Sequence, residues 1–537
     1  MAPLLLALLL TQLYSIDKMA SSWESDNPLL EDKARKELEI WPLDEHNVKL
    51  LNEVHPIEFR SQTPHEIYDL IAIGAGAGGL VSAKQSARRG AKSAMISEKL
   101  AGGDCLNVGC VPSKALIRSA RAVAEVKRAS EFGVHVENIK VDFPAVMERL
   151  RRLRAVISPA DGHEGTEATG THVFQGRGVL TGPNTVKVNG QSLKFKMCVL
   201  ATGGSPSIPK NIPGLSEAPY TTNENLFNFQ KLPPRMVVLG AGVIALEMAQ
   251  SFALLGSNVT VINRSSRLFE SKGGDAEAAK VLQERLEKDG VVFVSSAKLS
   301  KVETLHKPED EDEFPLMKVY TEVGESLECE CLLVATGRSA NVEGLGLEAA
   351  GVDYKPGQGI LVNDFGQSVS NKAIYAVGDC VSNVPRLTHM SGEMAKLVVQ
   401  NGLAGGDWKL SSFVVPAVAY TEPEYATVGI ASPDQATKEG IEVDVYRAGL
   451  EHNDRAILEG SNVGFCKIVV KKDTDEIIGA TVVAERAGEI INEIALALKY
   501  NLSLSQLGRN IHSYPTTGEA VMGCGLQYIN KHWKRFD

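Results

Sequence analysis

Tyr68-Asp69-Leu70-Ile71-Ala72-Ile73-Gly74-Ala75-Gly76-Ala77-Gly78-Gly79 is a short apolar run that stops on three spaced glycines. The run reads as a buried strand. An Ala-rich helical segment follows to about Arg89, and a second strand, Ser93 to Ile96, ends at Glu98. Each glycine has a separate physical task. Gly74 makes the tight turn, Gly76 lets a pyrophosphate approach the backbone, and Gly79 lets the helix pack closely on the strand. The helix N-terminus offers free N–H groups and the positive end of its dipole to phosphates. Glu98, 24 residues after Gly74, is placed to accept hydrogen bonds from a ribose. This order predicts a Rossmann-type dinucleotide-binding unit of α/β class.

The layout recurs 166 residues later. From Arg235, strand Met236-Val237-Val238-Leu239 leads into Gly240-x-Gly242-x-x-Ala245. A helix through Glu247 to Leu255 and a strand from Asn258 to Ile262 follow, ending at Asn263-Arg264. No acid stands at the ribose position here. Arg264 and Arg267 suit a 2′-phosphate, which a carboxylate would repel. Ala245 in place of the third glycine fits a slightly wider helix–strand approach. The pattern favours NADPH over NADH; the alternative is that both arginines are solvated surface charges. Ala201-Thr202-Gly203 closes a strand in the first unit, and Ala335-Thr336-Gly337-Arg338 closes one in the second. The internal duplication points to two nucleotide-binding domains.

Between the repeats lies Gly102-Gly103-Asp104-Cys105-Leu106-Asn107-Val108-Gly109-Cys110-Val111-Pro112-Ser113-Lys114. On a straight helix, cysteines at i and i+5 are separated by about 7.5 Å of rise. That is at or beyond the roughly 7 Å reach of a disulfide. A Cys105–Cys110 bond therefore requires a distorted first turn, which Gly109 permits. Pro112 is tolerated only near a helix start, which puts Cys110 at a helix N-terminus. The helix dipole there stabilises a thiolate. Two such thiols read as a redox centre rather than a staple; the alternative is a pair of unbonded buried cysteines. A long amphipathic helix is expected to follow, to about Ser130.

The remaining chain bounds the function. Its 537 residues carry a net charge of −10, which argues against a nucleic-acid or membrane-surface partner. Eight cysteines in so long a chain suit a reducing compartment with one dedicated redox pair. No ligand set for a resident metal is read. Pro3 to Leu10 is apolar and, through Leu13, resembles a short signal segment; Met19 is an alternative start. It is too short to span a bilayer with ease. Asn263-Arg264-Ser265 is a glycosylation sequon at the edge of a nucleotide pocket, where a glycan would obstruct the cofactor. Cytoplasm or an organelle is therefore favoured, with a targeting leader left open.

The expected organisation is a leader and arm over 1–65, a first dinucleotide-binding segment over 66–215, and a second over 216–340. A central region over 341–410 and an α+β unit over 411–537 complete it. The arm, with Trp23, Trp41 and a helical run from Leu29 to Leu38, carries no readable chemistry. Gly176-Arg177-Gly178 closes a strand, and strand Ile374-Tyr375-Ala376-Val377-Gly378 delivers Asp379, which alone reads as a turn acid.

Together these motifs resemble the class I pyridine nucleotide-disulfide oxidoreductases, the flavoprotein disulfide reductases, from Tyr68 to the C-terminus. The texture is similar to both the mercuric reductase and the dihydrolipoyl dehydrogenase branches. The resemblance implies FAD on the first unit, NAD(P)H on the second, and a C-terminal dimerisation domain forming a homodimer with a shared active site. It implies FAD contacts from Gly74, Gly76, Gly79, Glu98, Gly178, Thr202, Gly203 and Asp379. It implies nicotinamide-nucleotide contacts from Gly240, Gly242, Ala245, Asn263, Arg264 and Gly337. Cys110 would be the thiolate against the flavin and Cys105 the thiol that meets substrate. Lys114 and Glu247 would be the ion pair beside the flavin, where a cation stabilises its reduced form; the alternative is an ordinary surface salt bridge.

The tail departs from the dithiol–disulfide members. They carry a histidine five residues before a glutamate; here Tyr514 stands five before Glu519. A phenol with a pKa near 10 is a poor substitute for imidazole at neutral pH. His512 is the other candidate. Tyrosine at this place is similar to mercuric reductases, yet their C-terminal pair of adjacent cysteines is missing, and only Cys524 remains in the tail. The expected activity is transfer of electrons from NADPH through FAD to the Cys105–Cys110 pair. From there they pass to a small-molecule disulfide, soft metal ion or quinone. The competing expectations are a dihydrolipoyl dehydrogenase or glutathione reductase proper, and a non-enzymatic redox sensor.

Overall fold

Strand Tyr68–Ile73 lies inside a parallel sheet, between Ser93–Ser97 on one side and Gln191–Leu200 on the other. His172–Gln175 extends the sheet beyond Ser93–Ser97, and Ile374–Ala376 arrives from far down the chain to pair in parallel with Gln191–Leu200. Thr185–Val188 and Val179–Gly182 add an antiparallel edge. The central strand is buried on both faces, as a continuous apolar run in a parallel sheet requires. The computed structural model describes residues 23–24, 28–308 and 313–533. The apolar leader and Met19 lie outside the described residues. Among the described residues no helix is long and apolar enough to cross a membrane.

The glycines behave as their spacing predicts. Gly74 has φ of 111°, and a Cβ there would sit 2.2 Å from the Ala201 carbonyl oxygen. A Cβ on Gly79 would lie 1.8 Å from the Gly74 oxygen, so only glycine lets helix Ala77–Arg88 pack this closely.

The second unit is built the same way. Strands Val291–Ser295, Asn258–Asn263, Arg235–Leu239 and Cys331–Val334 form a four-stranded parallel sheet in that order. Gly240 repeats the φ of 111° seen at Gly74. Helix Val243–Leu255 is buried along most of its length, because the sheet covers one side and helix Cys110–Arg128 the other. The two nucleotide-binding units are thus joined through the helix that carries Cys110.

A five-stranded antiparallel sheet forms the C-terminal unit, in the order Ala417–Ala419, Glu424–Gly429, Ile477–Ala484, Phe465–Lys471, Val443–Gly449. Helices Ala487–Lys499, Leu504–Arg509 and Glu519–Lys531 accompany it. At the other end of the chain, helices Pro28–Lys36 and Glu45–Val54 form an arm. It is packed on the body, with Trp23 only 1% exposed.

Candidate active site

The stretch around the two cysteines forms two helices, not one distorted helix. Gly103–Asn107 is a short helix; Val108 and Gly109 interrupt it; Cys110 is the first residue of helix Cys110–Arg128. A Cβ on Gly109 would lie 2.7 Å from the Asp104 carbonyl oxygen. That oxygen already accepts the Val108 N–H at 2.9 Å. The break depends on a residue without a side chain. The following helix stops at Arg128, short of Ser130, and tightens into a 3-10 turn over Ala129–Phe132.

Both thiols are partly accessible and unbonded, whereas the other six cysteines are buried. The pair is strongly asymmetric. The Cys110 thiol is pulled down to about 6. A hydrogen bond from Cys105 is the largest cause, with further help from the Thr388 hydroxyl at 3.2 Å and the Lys114 charge, against the cost of burial. Cys105 is pushed far up by the same shared hydrogen bond and by burial. One sulfur is thus a thiolate at neutral pH while the other keeps its proton. The helix start anticipated the thiolate; Thr388, the first residue of helix Thr388–Ala404, left no signal in the sequence.

Lys114 Nζ meets Glu247 Oε2 at 3.0 Å, across the seam between the two units. Glu247 is only 3% exposed, which removes the surface-salt-bridge reading. Tyr420 completes the arrangement. Its ring lies 4.3 Å from Lys114 Nζ, and its backbone N–H donates to Glu247 Oε1 at 2.9 Å. The cation is therefore held both by a carboxylate and by an aromatic face.

The first glycine turn opens toward the redox stretch. A Cβ on Gly76 would find only Gly103 Cα, at 3.8 Å, and one on Gly203 would meet nothing within 4 Å. Gly178 lies over Ile73 and Ile96, at the ends of the two central strands. Thr202 Oγ1 donates to the Asn341 carbonyl at 2.7 Å. Asp379 and Asp104 flank Arg338, which donates to Asp379 at 3.2 Å and also bonds Asp104 and the Gly204 carbonyl. Burial raises the Asp379 carboxyl, and the Arg338 charge opposes that rise. Glu98 pairs with Arg177 at 2.8 Å, but both are about half exposed. Such a pair is weak and displaceable. Open backbone at the glycines, a helix N-terminus and polar side chains at the strand ends fit a bound dinucleotide.

The second cradle is open at Gly242 and Gly337, where a Cβ would meet nothing within 4 Å. Ala245 is buried. Asn263 is buried too, and its amide serves its own turn, accepting from Ser265 N at 3.1 Å. A glycan there has no route to solvent. Arg264 is exposed. Arg267 departs from expectation: it donates to the Gly274 carbonyl and to Asp434 of the C-terminal unit, both at 2.7 Å. Its charge is committed to an interdomain contact.

In the tail, Tyr514 is 72% exposed and its hydroxyl donates to Asp454 Oδ2 at 2.7 Å. That bond raises the phenol further above its ordinary value. Glu519 does not bond Tyr514; it accepts the Thr516 N–H at 3.0 Å, at the start of helix Glu519–Lys531. His512 pairs with Glu493 at 3.0 Å, a structural role. Asp454, like Tyr420, was not singled out from the sequence.

A sequence profile described as pyridine nucleotide-disulphide oxidoreductase matches residues 68–395, and the dimerisation domain of the same family matches residues 415–523. The chain is 33% identical over 510 residues to a mercuric reductase from Lysinibacillus sphaericus, covering 94% of this chain and 91% of that protein. It is 33% identical over 460 residues to a dihydrolipoyl dehydrogenase from Chlamydia muridarum, covering 85% of this chain and 95% of that one. Among solved structures, LpdA from Mycobacterium tuberculosis superposes with a TM-score of 0.75 at 26% identity, over 86% of this chain and 99% of that one. The HOCl-induced flavoprotein disulfide reductase RclA from Escherichia coli shares the fold, with a TM-score of 0.74 at 23% identity, over 85% of this chain and 98% of that one. With two Rossmann-type units, a dithiol between them and a dimerisation unit behind, this chain belongs to the pyridine nucleotide-disulphide oxidoreductase family and is a flavoprotein oxidoreductase.

Proposed function

We propose that this chain uses NADPH to reduce a small electrophilic acceptor at the Cys105/Cys110 pair. The acceptor is a disulfide, a soft metal ion or a quinone. The observation that carries the reading is the asymmetric pair of accessible thiols, one deprotonated and one protonated. When bound, FAD supplies the two-electron chemistry that links nicotinamide to dithiol. Gly74, Gly76, Gly79, Glu98, Gly178, Thr202, Gly203 and Asp379 would hold it. Gly240, Gly242, Ala245, Asn263, Arg264 and Gly337 would hold the nicotinamide nucleotide. Lys114, fixed by Glu247 and Tyr420, keeps a positive charge beside Cys110. The segments 66–215 and 341–410 would form the FAD site, 216–340 the NADPH site and 411–537 the dimer contact.

The proton relay is local. Oxidation of the dithiol forms the Cys105–Cys110 bond and releases two electrons to the acceptor, with the Cys105 proton leaving. The Cys110 thiolate beside Cys105 can take that proton only in passing, so it must leave with the reduced acceptor or to solvent before the S–S bond closes. Tyr514, its single O–H committed to Asp454, stays protonated, is no base, and offers its phenol oxygen toward substrate as an acceptor. Its outward position suits an active site completed by a second subunit, and the dimerisation-domain match supports a homodimer. The absence of an imidazole at Tyr514 argues against efficient dihydrolipoamide or glutathione disulfide turnover.

NADPH preference rests on the missing acid after strand Asn258–Asn263 and on Arg264. Because Asp434 holds Arg267, Asp434→Ala should free a second cation and raise the NADPH-to-NADH ratio of kcat/KM. The test of the whole reading is the purified holoenzyme assayed with NADPH and NADH against lipoamide, glutathione disulfide, Hg(II), Cu(II) and quinones. NADPH-driven turnover of one of the last three classes, lost in Cys105→Ser, is expected. Rapid turnover of lipoamide or glutathione disulfide moves the protein to those activities. Acceptor-independent NADPH oxidation alone moves it to a redox sensor.

A further inference from the structure

The arm over 23–65 precedes residue 68, where the family profile begins, yet it reaches the back of the redox stretch. Arg154, on helix Phe143–Ile157, is fully buried. Among the described residues it has no carboxylate within hydrogen-bond distance. Nη1 donates to the Asn107 carbonyl and Nη2 to Asn47 Oδ1, both at 2.6 Å. Its Nε has no partner among the described residues. Burial pulls this guanidinium down to about 10, so it stays charged at neutral pH.

A buried cation without a bonded anion is costly, so its placement is tightly determined by the two oxygens it meets. One belongs to Asn107, among the four residues between the two cysteines. The other belongs to the arm, where Asn47 is itself held by Asp44 and by the Pro42 carbonyl. Asn107 then ties the short helix together, with Nδ2 donating to the Ala101 and Gly103 carbonyls at 2.9 Å. The arm also grips the chain just before the stretch. Ala101 N–H donates to the Val54 carbonyl at 3.0 Å, and His55 Nδ1 lies 2.9 Å from the Lys99 carbonyl.

We propose that Asn47 and Arg154 are positioning residues for the dithiol, the arm holding Arg154 against the Asn107 carbonyl so that the short helix keeps Cys105 in place beside Cys110. This rests on the reading of Cys105/Cys110 as the redox pair. The groups that act on Cys110 come from every neighbouring element except the arm. They are Cys105 on the short helix, Lys114 on its own helix, Glu247 on Val243–Leu255 and Thr388 on Thr388–Ala404. Tyr420, after strand Ala417–Ala419, feels the Cys110 charge in return, and Asp161 acts on Cys105. No arm residue is among them. With no arm group among the largest influences on Cys110, a neutral change in the arm is expected to act on the thiolate through the geometry of the stretch.

The test is the pH dependence of iodoacetamide alkylation at Cys110, read by peptide mass spectrometry on the reduced full-length protein with no acceptor present. Asn47→Leu removes the arm's acceptor and should raise the Cys110 midpoint by about one pH unit, a tenfold smaller thiolate fraction below the midpoint. Asn47→Asp keeps an oxygen facing Arg154 but gives up the Nδ2 donation to the Pro42 carbonyl, and should move the midpoint less than Asn47→Leu, while Arg154→Lys keeps the proposal testable if the leucine variant fails to fold. Arg154→Lys, retaining charge but not the two-pronged geometry, should move the midpoint in the same direction as Asn47→Leu. Trp23→Phe removes the indole donation to the His55 carbonyl and should lower thermal stability without moving the midpoint. An unchanged midpoint in folded Asn47→Leu or Arg154→Lys overturns the proposal, as does an equal shift in Trp23→Phe. A wild-type Cys110 that is not alkylated near neutrality overturns the redox-pair reading instead.

Discussion

The redox stretch and the tail, the two regions proposed to meet substrate, are built oppositely. Around Gly102–Lys114 the polar groups converge: Arg154 on Asn107, Thr388 on Cys110, Glu247 and Tyr420 on Lys114. Around His512–Glu519 they diverge: His512 bonds Glu493, Tyr514 bonds Asp454, and Glu519 accepts from the Thr516 N–H. The first region is complete within one chain. The second turns its phenol outward, 72% exposed. Convergent contacts shift ionisation strongly because each works at low solvent exposure, whereas an exposed phenol is governed by one neighbour and by water.

The contrast can be broken most severely at Cys110. Cys110→Ser should lower acceptor reduction on the order of 10³-fold or more in steady-state assays, since no other accessible thiolate stands beside Cys105. Next comes the ion pair. Lys114→Met leaves Glu247 buried without its cation and should cost about 3 kcal/mol, read as a fall in chemical-denaturation midpoint. A loss below about 0.5 kcal/mol would mean the pair behaves as an exposed one.

The third effect is a pH dependence whose sign follows from the asymmetry. The folded Cys110 thiol lies below its ordinary value, so the unfolded state binds more protons between the two. Its contribution to stability is fully present above the ordinary thiol range and is lost as pH falls toward about 6. Alkylation of Cys110 should show a midpoint near pH 6, while Cys105 stays unreactive until well above the ordinary thiol range. Equal profiles for the two sulfurs would remove the difference between them. The smallest effect is expected in the tail. Tyr514→Phe should reduce turnover only a few-fold, with no change in the Cys110 midpoint, and Asp454→Asn should lower the Tyr514 phenol toward its ordinary value, measured by ultraviolet pH titration.

Much of the fold is readable from single stretches, because its decisive features are local. Gly74 and Gly240 turn with the same φ of 111°, and each is followed by a helix whose start is dictated by the absence of a Cβ. Gly109 breaks a helix for the same reason. The position of Cys110 at a helix N-terminus follows from Pro112 and Gly109 alone. Arg267 shows the limit of such reading. Its spacing from strand Asn258–Asn263 suits a phosphate, but Asp434, 167 residues on, takes its charge.

What the sequence by itself determined is the pair of glycine turns, the helix that begins at Cys110 and the loss of imidazole at Tyr514. These rest on backbone sterics and side-chain chemistry within a few residues. The tertiary structure alone decided which groups hold the charge on Cys110. Thr388 comes to Cys110 from 278 residues away, Glu247 to Lys114 from 133, and Asn47 to Arg154 from 107. The physical reason is that ionisation follows from the summed field and hydrogen bonds at a point in space, and those partners are neighbours only after the chain has folded.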